Sequence, residues 1–241
     1  MIAQAGFELR LLLRNGEQLL LTIVIPVVLL LAVTYVAAVP LAAPAGAARL
    51  PEALGSVLSV AIIASAFTSL AISVGFDRRS GALLMLATTP LSRSSILGAR
   101  ALATLAVVGV QVLLLGAIAL GLGWRPTLST LALVPAAIVG TAVFAALGFA
   151  LGGALRAEAT LAVANAVFLA LVAVGGTTIP AASLPGPLGV VVSALPSSAL
   201  GDLLRWATGY PATINAGVQA AILVGWGLVG TVIARRTFRW S

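Results

Sequence analysis

The chain contains no lysine, no histidine and no cysteine. Without lysine it has no phosphate-binding loop of the Walker type, because that loop needs a lysine on the β- and γ-phosphates. Without histidine and cysteine it has no Ser-His dyad, no thiol nucleophile and no zinc centre of the usual kinds, and disulfides are excluded. Only carboxylate or carbonyl oxygens remain as metal ligands, so we expect no metal or haem. Energy for an active process should therefore come from another molecule.

Charged residues are also scarce: they make up 8% of the sequence, against 61% hydrophobic residues, and the mean hydropathy is +1.19. Such a chain has too little polar surface to cover a water-soluble globule, so the composition predicts an integral membrane protein. The net charge is +7, and every basic residue is arginine. The arginines stand singly or in pairs at the ends of apolar runs, which indicates membrane topology rather than nucleic-acid binding.

Six apolar stretches are long enough to cross a hydrocarbon core of about 30 Å, which takes roughly 20 helical residues. No acidic residue or arginine falls inside them, as expected because a charge at mid-membrane costs about 2.5 to 3.5 kcal/mol. The predicted fold class is therefore an all-α integral membrane protein with six transmembrane helices. The predicted spans are residues 19–39, 55–75, 101–121, 128–153, 159–178 and 213–233.

The arginines are divided unevenly between the two sides of these spans. By the positive-inside rule, this places both termini in the cytoplasm. A signal peptide is the alternative interpretation of the first span, but the apolar run of about 21 residues is too long for that pattern. The richer side has Arg10, Arg14, Arg78, Arg79, Arg93, Arg100, Arg156, Arg235, Arg236 and Arg239, and the other side has Arg49, Arg125 and Arg205.

Residues 1–18 are predicted to form an amphipathic interfacial helix before the first span. Leucines at helical spacing share one face, whereas Arg10 and Arg14 lie on the other. Asn15 and Gly16 form a natural break, because both tolerate the backbone angles that end a helix. The alternative is an extended start of the first span.

The longest cytoplasmic connection, residues 76–100, contains a predicted short helix over 80–88 that Pro90 ends. A helix of about nine residues is roughly 13 Å long, so it must lie at the membrane surface rather than cross. There it offers an apolar and basic ridge to a partner, and a solvated loop with a capped turn is the alternative. The candidate residues are Asp77, Arg78, Arg79, Ser80, Gly81, Leu83, Leu86, Thr89 and Pro90.

The outer segment 179–212 is interrupted by prolines, among them Pro180, Pro185 and Pro196. Its apolar run 188–195 is about 12 Å long as a helix, so it dips into the bilayer without crossing. Short helices of this kind are predicted to form an outer gate, with a surface-lying loop as the alternative.

A second short helix is expected in the same segment. Ser197 or Ser198 is predicted to cap it, with Asp202 and Arg205 facing water.

Polar residues within the spans are candidates for cavity or subunit contacts. Gln111, Asn165 and Gln219 are the strongest, and a hydrogen bond between helices, worth about 1 kcal/mol, is the expected role of each. Gly148 and Gly152 have the spacing that lets helices approach closely.

Three groups of motifs stand in a fixed order relative to the spans. They are LRNG at 13–16 before a span with Pro26; DRRSGAL at 77–83, TPLS at 89–92 and LGAR at 97–100; and Gly175-Gly176, Pro180, Leu184-Pro185 and Leu195-Pro196. In this order they resemble the six-span permease subunits of type-2 ABC transporters, most of which are exporters. That family commonly has Thr and Lys where this chain has Ala82 and Arg100.

The resemblance implies a division of labour between subunits. The connection between spans two and three forms a coupling helix in this family, here 80–90, which docks into a groove on a separate ATPase subunit. Two ATPase copies would bind ATP and Mg²⁺, so this chain would be a non-enzymatic permease without a cofactor. It would pair with a second copy or a homologous permease, with no nucleic-acid partner, and residues 1–241 would form a single transmembrane permease domain.

The expected cargo is amphipathic, drug-like or lipidic, because the spans carry no charge. The lysine-free, arginine-rich composition is typical of a GC-rich bacterium, so a bacterial plasma membrane is the expected location. An ion-coupled secondary transporter is one alternative, although all six acidic residues are predicted to lie near water. A membrane enzyme using surface carboxylates and a non-transporting anchor or assembly subunit are the others.

Overall fold

The computed structural model describes residues 16–36, 46–82, 93–178, 181, 184–210 and 215–237, and this part of the chain has helices and turns but no strand. The helices are α1 Gly16–Tyr35, α2 Leu50–Arg79, α3 Arg93–Gly121, α4 Leu133–Ala154, α5 Ala157–Val174, α6 Gly186–Ser193, α7 Pro196–Ala207 and α8 Ala216–Thr237. A π-helical turn, Ala64–Ser69, lies inside α2, and a 3-10 turn, Leu128–Ala132, leads into α4.

Five helical segments in the described ranges are long and apolar enough to cross a membrane: α2, α3, α4 with its 3-10 turn, α5 and α8. The pair α6 and α7, which is bent by 82°, would be a sixth if it crossed as one broken span. In α1 the apolar stretch is shorter, Thr22–Tyr35. The protein is therefore a multi-pass, all-helical membrane protein with five to six candidate spans over the residues described.

The helices continue beyond several predicted span boundaries. α2 begins at Leu50 and ends at Arg79, so it extends past both ends of the predicted span 55–75. Charged residues that the prediction placed in the connections, Glu52 and Asp77 among them, are therefore part of α2, outside the predicted span. The prediction ended each span near a charge, whereas a helix continues wherever such side chains find polar partners or reach the headgroup region.

α2 is the central helix of the bundle. Its first part, Leu50–Ile63, packs against α1, α3 and α7, and its last part, Leu70–Arg79, packs against α4 and α5. Every residue from 52 to 63 is buried. α2 therefore contacts α1, α3, α4, α5 and α7 and connects the two ends of the bundle.

Two glycines bring α4 against α2. A Cβ atom at Gly148 would lie 2.9 Å from the carbonyl oxygen of Phe67, and one at Gly152 would lie 2.5 Å from that of Ala71. Neither position has room for a methyl group beside rigid backbone. The close approach predicted from the spacing of Gly148 and Gly152 is therefore confirmed.

Apolar side chains cover the outside of the bundle. On α5 and α8, which the other helices cover least, Leu169 is 63% exposed and Leu228 is 64% exposed. A soluble protein rarely exposes wide apolar surfaces, whereas helices that satisfy their own backbone hydrogen bonds can place such faces in lipid. These faces are suited to contact with lipid or with another membrane subunit.

The outer segment forms two short helices joined by a sharp bend. α6 matches the length of the predicted apolar run, but α7 begins at Pro196 and its preceding residue, Leu195, has no side chain that can cap it. The predicted cap at Ser197 or Ser198 was wrong, because both serines lie inside α7 and are buried. The Ser197 hydroxyl instead donates to the carbonyl oxygen of Gly175, 2.6 Å away.

Candidate functional site

Two adjoining cavities lie between α1, α2, α3 and α5, and they share Ala64, Ser65, Ser69, Thr104 and Phe168 as lining. Volumes of about 300 Å³ and about 550 Å³ are large enough for a small molecule. The smaller, here called the apolar chamber, is otherwise lined by Thr22, Ile25, Pro26, Leu29, Val57, Val60, Ala61, Val107 and Gln111. The larger, the hydroxyl chamber, is otherwise lined by Thr68, Leu70, Ile72, Ser73, Phe76, Arg100, Ala103 and Asn165.

The hydroxyl groups of this site were not predicted from the sequence. Ser65, Ser69 and Ser73 recur every four residues along α2, which is the spacing of side chains on one helix face. That spacing was the available signal. Three residues of the π-helical turn Ala64–Ser69, namely Ala64, Ser65 and Ser69, line both chambers, and such turns are frequent at functional sites.

Gln111 joins the two irregular helices across this site. Proline has no N–H group, so Pro26 leaves the carbonyl oxygen of Thr22, four residues earlier in α1, without its helical donor. The Gln111 Nε2 atom donates to that oxygen at 2.9 Å and also lies 3.4 Å from the Ser65 hydroxyl in the π-helical turn. Because a carbonyl only accepts, this contact fixes the orientation of the amide. Gln111 thus links α1, α2 and α3.

Replacing Gln111 with leucine should lower the free energy of unfolding by about 1 kcal/mol, a typical value for such bonds in membranes. The loss should be smaller in a Pro26→Ala background, because the new N–H can satisfy the Thr22 carbonyl within α1. Thermal unfolding in detergent of the wild type, both single variants and the double variant measures this coupling.

Asn165→Leu is the matched control, because among the described residues the Asn165 amide donates to Leu161 on its own helix and bonds to no other helix. Its effect should add to that of Pro26→Ala without coupling. An equal loss for Gln111→Leu in both backgrounds would refute the assignment of Gln111 to the carbonyl freed by Pro26.

The other two polar candidates have different surroundings. Asn165 is exposed and donates to the carbonyl oxygen of Leu161 on the same helix, 2.9 Å away, so it lines the hydroxyl chamber without joining two helices. The Gln219 Nε2 atom lies 3.3 Å from Asp202 Oδ2, so this side chain joins α8 to α7.

One end of the bundle, here called the Arg78 end, consists of Asp77, Arg78 and Arg79 with their partners. Arg78 Nη1 lies 3.1, 2.8 and 3.2 Å from the carbonyl oxygens of Gly152, Gly153 and Leu155. The last carbonyls of a helix have no partner within that helix, and a cation there also interacts favourably with the helix dipole. Arg78 therefore fixes the end of α4 to the end of α2.

Two ion pairs complete the Arg78 end. Asp77 Oδ2 lies 2.6 Å from Nη1 of Arg100, whose side chain is buried against α2. Arg79 pairs with Glu158 at the start of α5, and both of these side chains are largely exposed. The exposed pair, which joins α2 to α5, contributes little to stability, whereas Asp77 joins α2 to α3 and Arg78 joins α2 to α4.

Ser80 and Gly81 belong to the turn that ends α2. Ser80 is the residue after the helix, and Gly81 has a φ of 75°, which favours glycine. The predicted short helix therefore does not begin at Ser80, because this left-handed residue interrupts it.

The opposite end, the Arg205 end, contains a buried arginine. Arg205 is 1% exposed, and its guanidinium donates to Asp202 Oδ1 at 2.6 Å and to the carbonyl oxygens of Thr177 at 2.6 Å and Gly176 at 2.9 Å. A Cβ atom at Gly55 would lie 2.5 Å from the Arg205 Cα, so α2 and α7 are in backbone contact here.

The expectation that Asp202 and Arg205 face water was wrong. Asp202 and Arg205 form a buried ion pair, and the carbonyl groups of the turn after α5 accept further hydrogen bonds from the guanidinium. A buried charge is tolerated when it is paired and hydrogen-bonded in this way.

A second acidic residue at the Arg205 end is also buried. Glu52 is 1% exposed, and neither of its carboxylate oxygens has a hydrogen-bond partner in the described part of the chain. Burial raises the pKa of the Tyr210 phenol above its ordinary value, the Glu52 charge raises it further, and Arg205 lowers it. The prediction that every acidic residue lies near water is therefore wrong for Glu52 and Asp202.

Several predicted site residues lie outside the described residues. They are Arg10 and Arg14 of the interfacial helix, Leu83, Leu86, Thr89 and Pro90 of the coupling segment, and Pro180 of the outer segment. Pro185 and Pro196 are described and directly precede or begin α6 and α7.

A family model described as ABC-2 family transporter protein matches residues 48–236, which include both ends of the bundle and all lining residues of the hydroxyl chamber. The chain belongs to the ABC-2 transporter family. A search of curated proteins gives no match. ABC-2 family membership and the apolar helices together indicate a multi-pass transporter permease, and members of this family are generally the non-enzymatic membrane components of ABC transporters.

Proposed function

We propose that this ABC-2 family protein is the permease subunit of an exporter that moves an amphipathic, drug-like or lipidic molecule by alternating access. A separate ATPase supplies the energy, since the chain has no lysine and therefore no Walker loop of its own. Two ATPase copies would hold ATP and Mg²⁺. The permease would pair with a second copy or a homologous permease in a bacterial plasma membrane, with both termini in the cytoplasm.

The observation that carries this proposal is the position of α2. It runs 30 residues, from the buried Arg205 end to the Arg78 end, and lines both chambers between them. The predicted coupling helix, residues 80–90, follows α2 in sequence at the Arg78 end. A partner that moves this segment would displace α2, and with it α4 through Arg78. The cavities between α1, α2, α3 and α5 would change shape in response.

The Arg205 end is proposed to act as the outer gate. The helices α6 and α7, which start next to Pro185 and at Pro196, meet at a sharp bend and cover this end. Arg205 joins α7 to the turn after α5. Opening would require these contacts to separate.

Buried carboxyl groups favour a second candidate, an ion-coupled transporter. Glu52 and Asp202 lie inside the bundle, where ion-coupled transporters keep their acidic residues. This candidate predicts uptake or efflux driven by a proton or sodium gradient without nucleotide.

One reconstitution distinguishes the two. The chain is purified from its native membrane with its associated proteins and reconstituted into vesicles with a panel of fluorescent amphipathic dyes. We expect a co-purifying ATPase and dye movement that requires ATP and survives collapse of ion gradients by ionophores. Isolation without an ATPase, or movement that ionophores abolish and ATP does not support, would reject the exporter and favour ion coupling.

A further inference from the structure

The two chambers differ in polarity along the length of α2. Val57 and Val60 line the apolar chamber, whereas Ser73 and Phe76 line the hydroxyl chamber near the Arg78 end. Residues 57 to 76 cover about 28 Å at 1.5 Å per residue. A ligand occupying both chambers would therefore be elongated and lie along the helices, with one apolar and one polar end.

The polar end of this site carries no net charge. Arg100 is the one charged residue among the lining residues described for either chamber, and it is paired with Asp77 at 2.6 Å. A cationic head group would meet this arginine, and an anionic one would compete with Asp77 for it. Serine and threonine hydroxyls offer hydrogen bonds to uncharged groups instead.

We infer that the two chambers of one chain form a single binding site for a neutral amphipath. Its hydroxyl- or amide-bearing end lies against Ser69 and Ser73, and its apolar end lies against Pro26 and Val57. If the chain is an exporter, as proposed above, this site would bind its cargo. Binding itself needs neither ATP nor an ATPase.

Cysteine labelling tests both the site and the orientation, because the chain has no cysteine of its own. Ser73→Cys places a thiol in the hydroxyl chamber and Val60→Cys places one in the apolar chamber, both with little change in volume. The purified permease in lipid nanodiscs is treated with two monoacylglycerol analogues, one with a chloroacetamide on the head group and one with it at the chain end.

The head-group reagent should label Ser73→Cys about tenfold faster than Val60→Cys, and the chain-end reagent should show the reverse preference, because proximity sets these rates. Val224→Cys, on the exposed face of α8, measures reaction from the bilayer alone. Unreactive monoacylglycerol should protect the chamber cysteines, whereas a fatty acid and an alkyl trimethylammonium of equal chain length should protect them much less.

Equal labelling of both chamber positions by both reagents would overturn the orientation. Labelling no faster than at Val224→Cys, or equal protection by the charged amphipaths, would overturn the site. ATP-driven transport without chamber labelling would reject this inference alone, whereas labelling without ATP-driven transport would reject the exporter and leave the site standing.

Discussion

Replacing Arg205 with methionine is expected to leave almost no folded protein after extraction into mild detergent. Methionine replaces the unbranched aliphatic part of the side chain but removes the guanidinium, and with it every donor to Asp202, Thr177 and Gly176. Breaking a buried ion pair by removing one partner costs about 3 to 5 kcal/mol, because the other charge stays buried. This is a large fraction of the stability of a typical domain. Size-exclusion chromatography of a fluorescent fusion after a heating series measures the effect.

Arg125→Met is the matched control, since Arg125 is an exposed arginine in the connection between α3 and α4. It should melt within a few degrees of the wild type. A second variant, Arg205→Met with Asp202→Leu, should recover part of the stability, because it removes the uncompensated carboxylate as well. If Arg205→Met melted like Arg125→Met, the contacts of the buried guanidinium would not stabilise the Arg205 end.

Arg78→Glu is expected to abolish ATP-driven transport while the protein still inserts into the membrane. The new carboxylate would face the carbonyl oxygens of Gly152, Gly153 and Leu155, so α2 would no longer hold the end of α4. Movement of the coupling segment would then displace α2 alone. Transport should fall at least about tenfold, which corresponds to a loss of roughly 1.4 kcal/mol in coupling. Dye transport and permease-stimulated ATP hydrolysis in reconstituted vesicles are measured together.

Two further charge-reversal variants distinguish a loss of coupling from an effect of surface charge. Arg235→Glu makes the same charge change at the exposed end of α8 and should leave transport nearly unchanged. Arg79→Glu breaks an exposed pair with Glu158 and should have an intermediate effect at most. Normal transport and unchanged ATPase stimulation by Arg78→Glu would show that the Arg78 end does not couple the two subunits.

The helical class, the membrane and the family could all be predicted from the sequence, because they depend on local composition and on the order of short motifs. The burial of Arg205 could not be predicted from the sequence. Its partners at 176 and 177 are almost thirty residues away, and its backbone contact depends on Gly55, so no local pattern marks it. The amphipathic pattern predicted that this side chain faces water, but its tertiary contacts bury it.

The candidate site was predictable only in part. Gln111 was identified because a polar residue inside a span is costly unless it has a partner. Its actual partner, the Thr22 carbonyl, follows from Pro26 only once α1 and α3 are known to be neighbours. The hydroxyl chamber was missed because serine and threonine are common and weakly polar. This chamber forms only because α2, α3 and α5 meet at the same level of the bundle.

The π-helical turn Ala64–Ser69 sets the angular offset between the two halves of α2. A turn of this kind holds one residue more than a regular α-helix, and one residue corresponds to about 100° of rotation. The half that contacts Arg205 and the half that carries Arg78 therefore face directions that a straight helix would not allow together. Relatives with a regular helix here would align correctly on both sides only if a one-residue gap is placed between Ala64 and Ser69.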